Sequence, residues 1–151
     1  MTISHILPQL EALFGERLTT NPTVRESHGR DEGSLPSAPP DAVVYVLTTA
    51  EVSQVVKLCH GAGVPVIAFG ACTSLEGQIA APLGGVCIDF TQMNHVIAVH
   101  GADMDAVVQP GITRKTLNAH LRDTGLFFPV DPGADATIGG MCATRASGTS
   151  T

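Results

Sequence analysis

The chain contains no tryptophan, and five phenylalanines and one tyrosine are its whole aromatic complement among 151 residues. Sixteen glycines stand against them, so close approach of backbone to a ligand matters more here than aromatic stacking. Charge is also scarce: 15% of residues carry it, and eight basic against fourteen acidic side chains leave a net charge of −6. That balance excludes a general electrostatic grip on nucleic acid or on an anionic membrane, while leaving a local anion site open. Long hydrophobic runs are missing, since no stretch approaches the ~18 apolar residues of a spanning helix. No early basic segment leads into an apolar core as a secretory signal would. The expectation is a soluble, cytoplasmic chain with no membrane span. The four cysteines, Cys59, Cys72, Cys87 and Cys142, include no Cys-x-x-Cys pair, which removes a structural zinc site. They read as small buried hydrophobes in a reducing compartment.

What is present suits one domain. Apolar residues make up 44%, enough for a real core in a chain of this length and too much for disorder. Leu7 to Leu13 carry apolar positions at helical spacing and end near Gly15. From Thr19 to Asp41 there is little periodicity and four of the ten prolines, which reads as a loop or an arm laid over something else. Val43 to Leu47 is a continuous β-branched and aromatic run, expected to be a strand buried on both faces. Thr48 and Glu51 form a capping box ahead of a helix to about Ala62, with Val52, Val55, Val56 and Cys59 on one stripe and Gly63 as its stop. Val64 to Ala68 is a second buried strand, so the three elements predict a βαβ unit with parallel strands. Gly85 to Phe90, Val96 to Val99 and Ala106 to Gln109 read as further strands. A helix from Thr113 to Thr124 is N-capped by Thr113 and stopped by Gly125, with Leu117 and Leu121 inward. No internal repeat is present.

Ligands of such sheets lie beyond the carboxyl ends of the strands, which points to Phe69-Gly70-Ala71-Cys72-Thr73-Ser74-Leu75-Glu76-Gly77-Gln78. Backbone N–H groups in a turn of small residues converge into a nest for a phosphate, with Thr73 and Ser74 as added donors. The competing interpretation is an ordinary tight connection. A P-loop is excluded because Gln78 stands where lysine is required, and no Gly-x-Gly-x-x-Gly occurs. A second segment, from Asp131 to Gly148, is small, glycine-rich and charged only at Asp131, Asp135 and Arg145. It fits a wall against a large flat ligand, or else a flexible tail. The six histidines, His5, His28, His60, His95, His100 and His120, show no paired metal spacing beyond His95 and His100, which a strand would place on opposite faces, and all are expected in loops or at the surface.

The ordered set Val66 to Gly77, Ile88-Asp89-Phe90, Met93-Asn94, Val108-Gln109-Pro110-Gly111 and Gly125 through Gly148 resembles the FAD-binding domain of the flavin-linked oxidases related to vanillyl-alcohol oxidase and p-cresol methylhydroxylase. Within that superfamily it is most similar to cytochrome-linked D-lactate dehydrogenase and the glycolate oxidase flavoprotein subunit, over roughly Pro22 to Thr151. The resemblance implies an α+β fold of the p-cresol methylhydroxylase type. An arm over residues 1–41 would precede an FAD-binding domain over 42–151, a βαβ subdomain with a small parallel sheet followed by the start of a mixed or antiparallel one. It implies FAD as cofactor, with Gly70, Ala71, Cys72, Thr73, Ser74, Gly77 and Gln78 around the pyrophosphate. Pro132, Gly133, Thr137, Gly139, Gly140, Ala143, Thr144, Ser147 and Gly148 would lie along the pyrophosphate and isoalloxazine. Arg145 would either face the flavin pyrimidine edge or be solvated.

The implied activity is dehydrogenation of a small 2-hydroxy acid, D-lactate or glycolate, by hydride transfer to flavin, with a separate electron acceptor and no nucleic-acid partner. Family members are longer, and their substrate arginine and catalytic histidines lie in later parts, so no catalytic or metal residue is assigned and this chain alone is expected not to turn over. The alternatives are a nucleotide-binding fragment without chemistry and an inert truncated product. By the resemblance, the position of Cys72 is usually glycine in such proteins; a side chain there crowds the pyrophosphate or demands a different φ, so Cys72→Gly is expected to tighten flavin binding.

Overall fold

A computed structural model describes residues 3–148. Leu7–Phe14 form α1, which Pro8 starts well because its missing N–H falls among the unbonded first-turn groups. Leu10 and Phe14 are its buried side chains, and Gly15 ends it with φ 52. A short strand β1, Leu18–Thr19, follows. The stretch expected to be a plain arm holds a six-residue helix, α2, over Pro22–Ser27. Asn21 caps it by accepting from the N–H groups of Thr23 and Val24. The Asn-Pro pair is an N-cap followed by an N1 proline, a local signal strong enough to override the lack of periodicity.

Ala42–Tyr45 is β2, Thr49–Ala62 is α3, Val66–Phe69 is β3 and Val86–Asp89 is β4. Thr48 caps α3 by accepting from the Glu51 N–H at 3.2 Å. The Glu51 carboxylate, which also takes the Thr48 N–H, accepts further from the Leu47 N–H at 2.7 Å and from Arg17, whose guanidinium holds both its oxygens at 2.7 and 2.9 Å. The buried stripe of α3 is Val55 and Cys59, flanked by half-buried Val52, Leu58 and Ala62. Val56 is 43% exposed, because one helical step past Val55 turns it about 100° off the stripe.

The sheet order is β1-β2-β4-β3, with β1 antiparallel to β2 and the remaining neighbours parallel. The expected βαβ strands β2 and β3 therefore share a parallel sheet without touching; β4 lies between them. That placement explains their burial. β4 is buried at all four residues, while β3 is an edge strand exposed at Val66 and Ala68. The core joins Ile3, Ile6, Leu10 and Phe14 to Val44, Val46, Val86 and Ile88, so the N-terminal helix packs into the same core as the sheet.

Val96–His100 and Asp105–Val108 form an antiparallel hairpin, β5 and β6, in a sheet of its own. Arg114–Leu121 is α4, capped by Thr113 and continued by a 3-10 turn to Thr124 before Gly125. Ile138–Thr144 is α5, capped by Thr137. A second core of Ile112, Leu117 and Leu121 joins α4 to Val96, Val99, Val108 and Phe128. Of the cysteines, Cys59 and Cys87 are buried as expected, Cys72 is half-buried and Cys142 is exposed; all four are free thiols. No helix among the described residues is long and apolar enough to cross a membrane.

Candidate cofactor cleft

The two glycine-rich segments meet. The chain leaves β3 at Phe69 and enters the first segment at the carboxyl edge of the sheet. The second segment is brought there by backbone. The Ile138 N–H donates to the Ile112 carbonyl and the Gly139 N–H to the Pro110 carbonyl, both at 2.8 Å. The Arg114 N–H donates to the Ala136 carbonyl at 3.1 Å. Pro110 is itself fixed from the other side, because Gly111 donates to the Met93 carbonyl and packs so tightly that a Cβ on it would lie 1.9 Å from the Phe90 carbonyl oxygen. Residues 110–112 thus act as a hinge pin between the four-stranded sheet and α5.

At the junction, Thr137 is only 3% exposed. Its hydroxyl accepts from the Gly140 N–H at 3.3 Å, and the same oxygen would stand 2.6 Å from a Cβ at Gly70. A side chain at Gly70 would force the two segments apart, which is the physical requirement for glycine there. Between them lies a cavity of about 550 Å³, within the usual range of ligand sites. Gly70, Ala71, Cys72, Thr73, Ser74 and Gln78 line it from the first segment. Pro132, Thr137, Gly139, Gly140, Ala143, Thr144 and Ser147 line it from the second.

Three glycines of the expected set lie outside the wall. Gly77, at φ 72, donates its N–H to the Asp31 carboxylate at 3.1 Å and rests on Leu35. Gly133, at φ 87, closes a turn by donating to the Asp131 carboxylate at 2.9 Å. Gly148 is pressed on the Asp131 backbone, where a Cβ would meet the carbonyl oxygen at 2.1 Å. Their glycines serve chain geometry, which composition does not separate from ligand contact. Conversely, Phe69, Phe90 and Pro110 also line the cavity. Phe90 directly follows β4, so the rule that places ligands beyond carboxyl ends of strands is signal enough to find it.

The polar groups of the cleft are held locally. The Ser74 hydroxyl donates to the Glu76 carboxylate. Cys72 takes a left-handed conformation, φ 55, with its Sγ 3.7 Å from the Arg30 carbonyl. Cys72 thus carries a Cβ in the left-handed region that favours glycine, at a cost of roughly 1–2 kcal/mol. Burial, reinforced by the charges of Asp31 and Glu32, pushes the Cys72 thiol above its ordinary pKa, so it is no ready nucleophile. Arg145 lines the cavity, is exposed and also adopts φ 51, ending α5.

One histidine departs from expectation. His28 is 6% exposed, with Nε2 2.9 Å from the Asp89 carboxylate and Nδ1 2.8 Å from the Val24 carbonyl. The surface expectation fails because the partner lies 61 positions away, beyond any local pattern. His95 and His100 behave as exposed loop and strand-end residues, bonded to Gln109 and Asp105. No group of three metal-ligating side chains occurs among the described residues.

Residues 40–151 match the FAD binding domain family. The chain is 51% identical over 148 residues to a protein of Danio rerio named probable D-lactate dehydrogenase, mitochondrial, covering 97% of this chain and 30% of that one. It is 46% identical to a mitochondrial D-lactate dehydrogenase [cytochrome] of Arabidopsis thaliana (95% and 26% covered) and 33% identical to the glycolate oxidase subunit GlcD of Bacillus subtilis (67% and 22%). Among solved structures, an alkyldihydroxyacetonephosphate synthase superposes with a TM-score of 0.89 at 27% identity, over 98% of this chain and 33% of that one. p-Cresol methylhydroxylase superposes at 0.74 and 23% identity (95% and 30%), a likeness of fold. The chain thus spans about 30% of the length of the zebrafish relative.

Proposed function

Because the chain belongs to the FAD binding domain family, we propose that the cleft between its two glycine-rich segments holds FAD for the oxidation of a 2-hydroxy acid by the whole protein. The observation that carries the reading is the contact of Thr137 with Gly70: segments 67 residues apart in sequence meet closely enough that a methyl group would not fit between them. The residues fit the cofactor chemically. A diphosphate needs converging N–H donors, and the first segment offers a turn of small residues at the end of a parallel strand with Thr73 beside it. A flat ring system needs a wall without protruding side chains, and Gly139, Gly140 and Ala143 provide one on α5. Neither arrangement requires lysine, which agrees with an acidic chain.

When bound, the flavin supplies a two-electron acceptor for a hydride from the substrate α-carbon. This chain's own part is binding and electrostatics. Gly70 and Thr137 fix the width of the cleft. Thr137 also anchors α5 through the Gly140 N–H, so the small residues on that helix keep one orientation. Arg145, the basic residue in the wall among the described residues, is assigned to negative charge that develops on the ring. D-lactate or glycolate is the proposed substrate class, on the names of the relatives, with electrons leaving to a separate acceptor. Several of those relatives are named mitochondrial, so cell fractionation is the test of the cytoplasmic setting expected from composition.

The absorption spectrum of the purified chain tests the cofactor assignment. Flavin bands that stay with the protein through gel filtration, or appear on adding FAD, are expected. A colourless preparation that takes up no FAD would contradict it. Anaerobic addition of D-lactate or glycolate to the whole protein then tests the substrate class by bleaching of those bands.

A further inference from the structure

We propose that His28 is a positioning residue of the cofactor loop: as an imidazolium locked between Asp89 and the Val24 carbonyl, it holds Phe69 and so sets the start of the Phe69–Gln78 segment. The proposal rests on the cofactor reading above only where it speaks of FAD.

The geometry fixes the charge state. Nδ1 faces the Val24 carbonyl at 2.8 Å, a group that can only accept, so Nδ1 carries a proton. The neighbouring Ser27 hydroxyl donates to the same carbonyl at 2.8 Å and presents a lone pair to Nδ1 at 3.3 Å. Nε2 faces the Asp89 Oδ2 at 2.9 Å, while Asp89 Oδ1 already accepts from the Thr91 N–H at 2.7 Å and the Thr91 hydroxyl at 2.5 Å. With Oδ1 an acceptor twice over and Asp89 a carboxylate, Oδ2 can only accept, which makes Nε2 its donor. Both ring nitrogens then bear protons, and the ring is cationic.

That cation lies on the site's boundary. The His28 ring stacks on Phe69 with centroids 4.2 Å apart and planes tilted by 36°. Phe69 is the last residue of β3 and lines the cavity; His28 is not in the wall and reaches the cavity through Phe69. The facing groups are few. From α2 come Val24 and Ser27, from β2 the edge of Tyr45 at 6.0 Å, from β3 Phe69, and from β4 Asp89 with Cys87 on the same strand. Burial and the Asp89 charge raise the ordinary pKa of Tyr45 and take that of Cys87 to about 12, so neither changes charge between pH 6 and 9. Burial works against the charge on His28, but its bonds to Asp89 and the Val24 carbonyl outweigh it and the net shift is upward. The lock is therefore complete below the ordinary histidine value of about 6.5 and is lost as pH rises through the higher folded value.

The experiment combines 15N NMR of the histidine ring with FAD titrations across pH 6 to 9, on the chain and on His28→Gln and Asp89→Asn. Both His28 nitrogens are expected to be protonated at pH 6, below the ordinary histidine value, and the Phe69 ring signals to move with the His28 midpoint. FAD affinity is expected to fall about tenfold with that same midpoint, the order of one hydrogen bond to a charged group. His28→Gln should abolish this pH dependence, whereas the exposed-histidine control His120→Gln should retain it. A neutral His28 at pH 6 would overturn the proposal, as would Phe69 signals or FAD affinity indifferent to its titration. If no FAD binds at any pH, the cofactor reading fails while the Phe69 signals still decide the positioning role. Should the variants not fold, the NMR titration of the unaltered chain is decisive by itself.

Discussion

The two sheets of the molecule differ in how they are held. In the four-stranded sheet, β4 is buried at every residue and Val43, Val44 and Val86 are wholly inaccessible to solvent. In the hairpin, β6 is exposed at three of its four residues, and Ile97 and Val107 stand 64% and 47% open. One half is stabilised by its own apolar burial on both faces; the other is held by one face of α4 and by the residue 110–112 pin. The cleft lies between the loop that leaves the first half and the segment attached to the second, so its shape depends on both. The first half positions the Phe69–Gln78 loop; the lightly anchored half carries the segment that meets it.

The largest effect should come from the first half. Ile88→Ala removes a wholly buried side chain from the central strand and is expected to lower stability by about 3–4 kcal/mol; denaturant unfolding measures it. Ile97→Ala on the hairpin should cost no more than about 0.5 kcal/mol. Equal losses at the two sites would break the comparison. At the seam, Gly70→Ala sets a methyl against the Thr137 hydroxyl and should cost about 1–3 kcal/mol, with a larger relative loss of FAD affinity than of stability. Cys72→Gly removes a left-handed residue with a Cβ, and is expected to gain about 1 kcal/mol in thermal stability and to tighten FAD binding; weaker binding would contradict the loop geometry.

A further effect is electrostatic. The bidentate Arg17 bond, with added N–H bonds from Leu47 and Thr48, holds the Glu51 carboxyl down to about 2 against the pull of burial. A depressed carboxyl contributes stability that is present above its ordinary value of 4.5 and lost as pH falls through about 2. Arg17→Met should therefore lower stability by about 1 kcal/mol at pH 7 and by less at pH 2, measured by urea titrations at both. A loss that does not shrink in acid would place the effect in packing of Arg17 on Phe14 instead, where the guanidinium lies 5.6 Å from the ring centroid.

What is legible in the sequence follows from how local each cause is. Thr48, Thr113, Gly63 and Gly125 mark helix ends through bonds within a few residues, and each marks one in the fold. The parallel arrangement of β2 and β3 is legible only as a shared sheet, since the insertion of β4 between them depends on pairing with residues far along the chain. Small-residue composition locates both walls of the cleft but does not distinguish Gly70, which faces Thr137, from Gly77, which faces Asp31 and Leu35. His28 escapes sequence reasoning because its burial among Asp89, Phe69 and Tyr45 is assembled from three strands and leaves no mark at positions adjacent in the chain.

The most direct measurement is calorimetric titration of FAD into the chain, into Gly70→Ala, into Gly140→Ala and into the double variant. Two segments that share one ligand predict saturable binding at one site, weakened by either change, with the double variant departing from the product of the single effects. Binding that is absent from the unaltered chain, or that ignores both glycines, would contradict a common cleft.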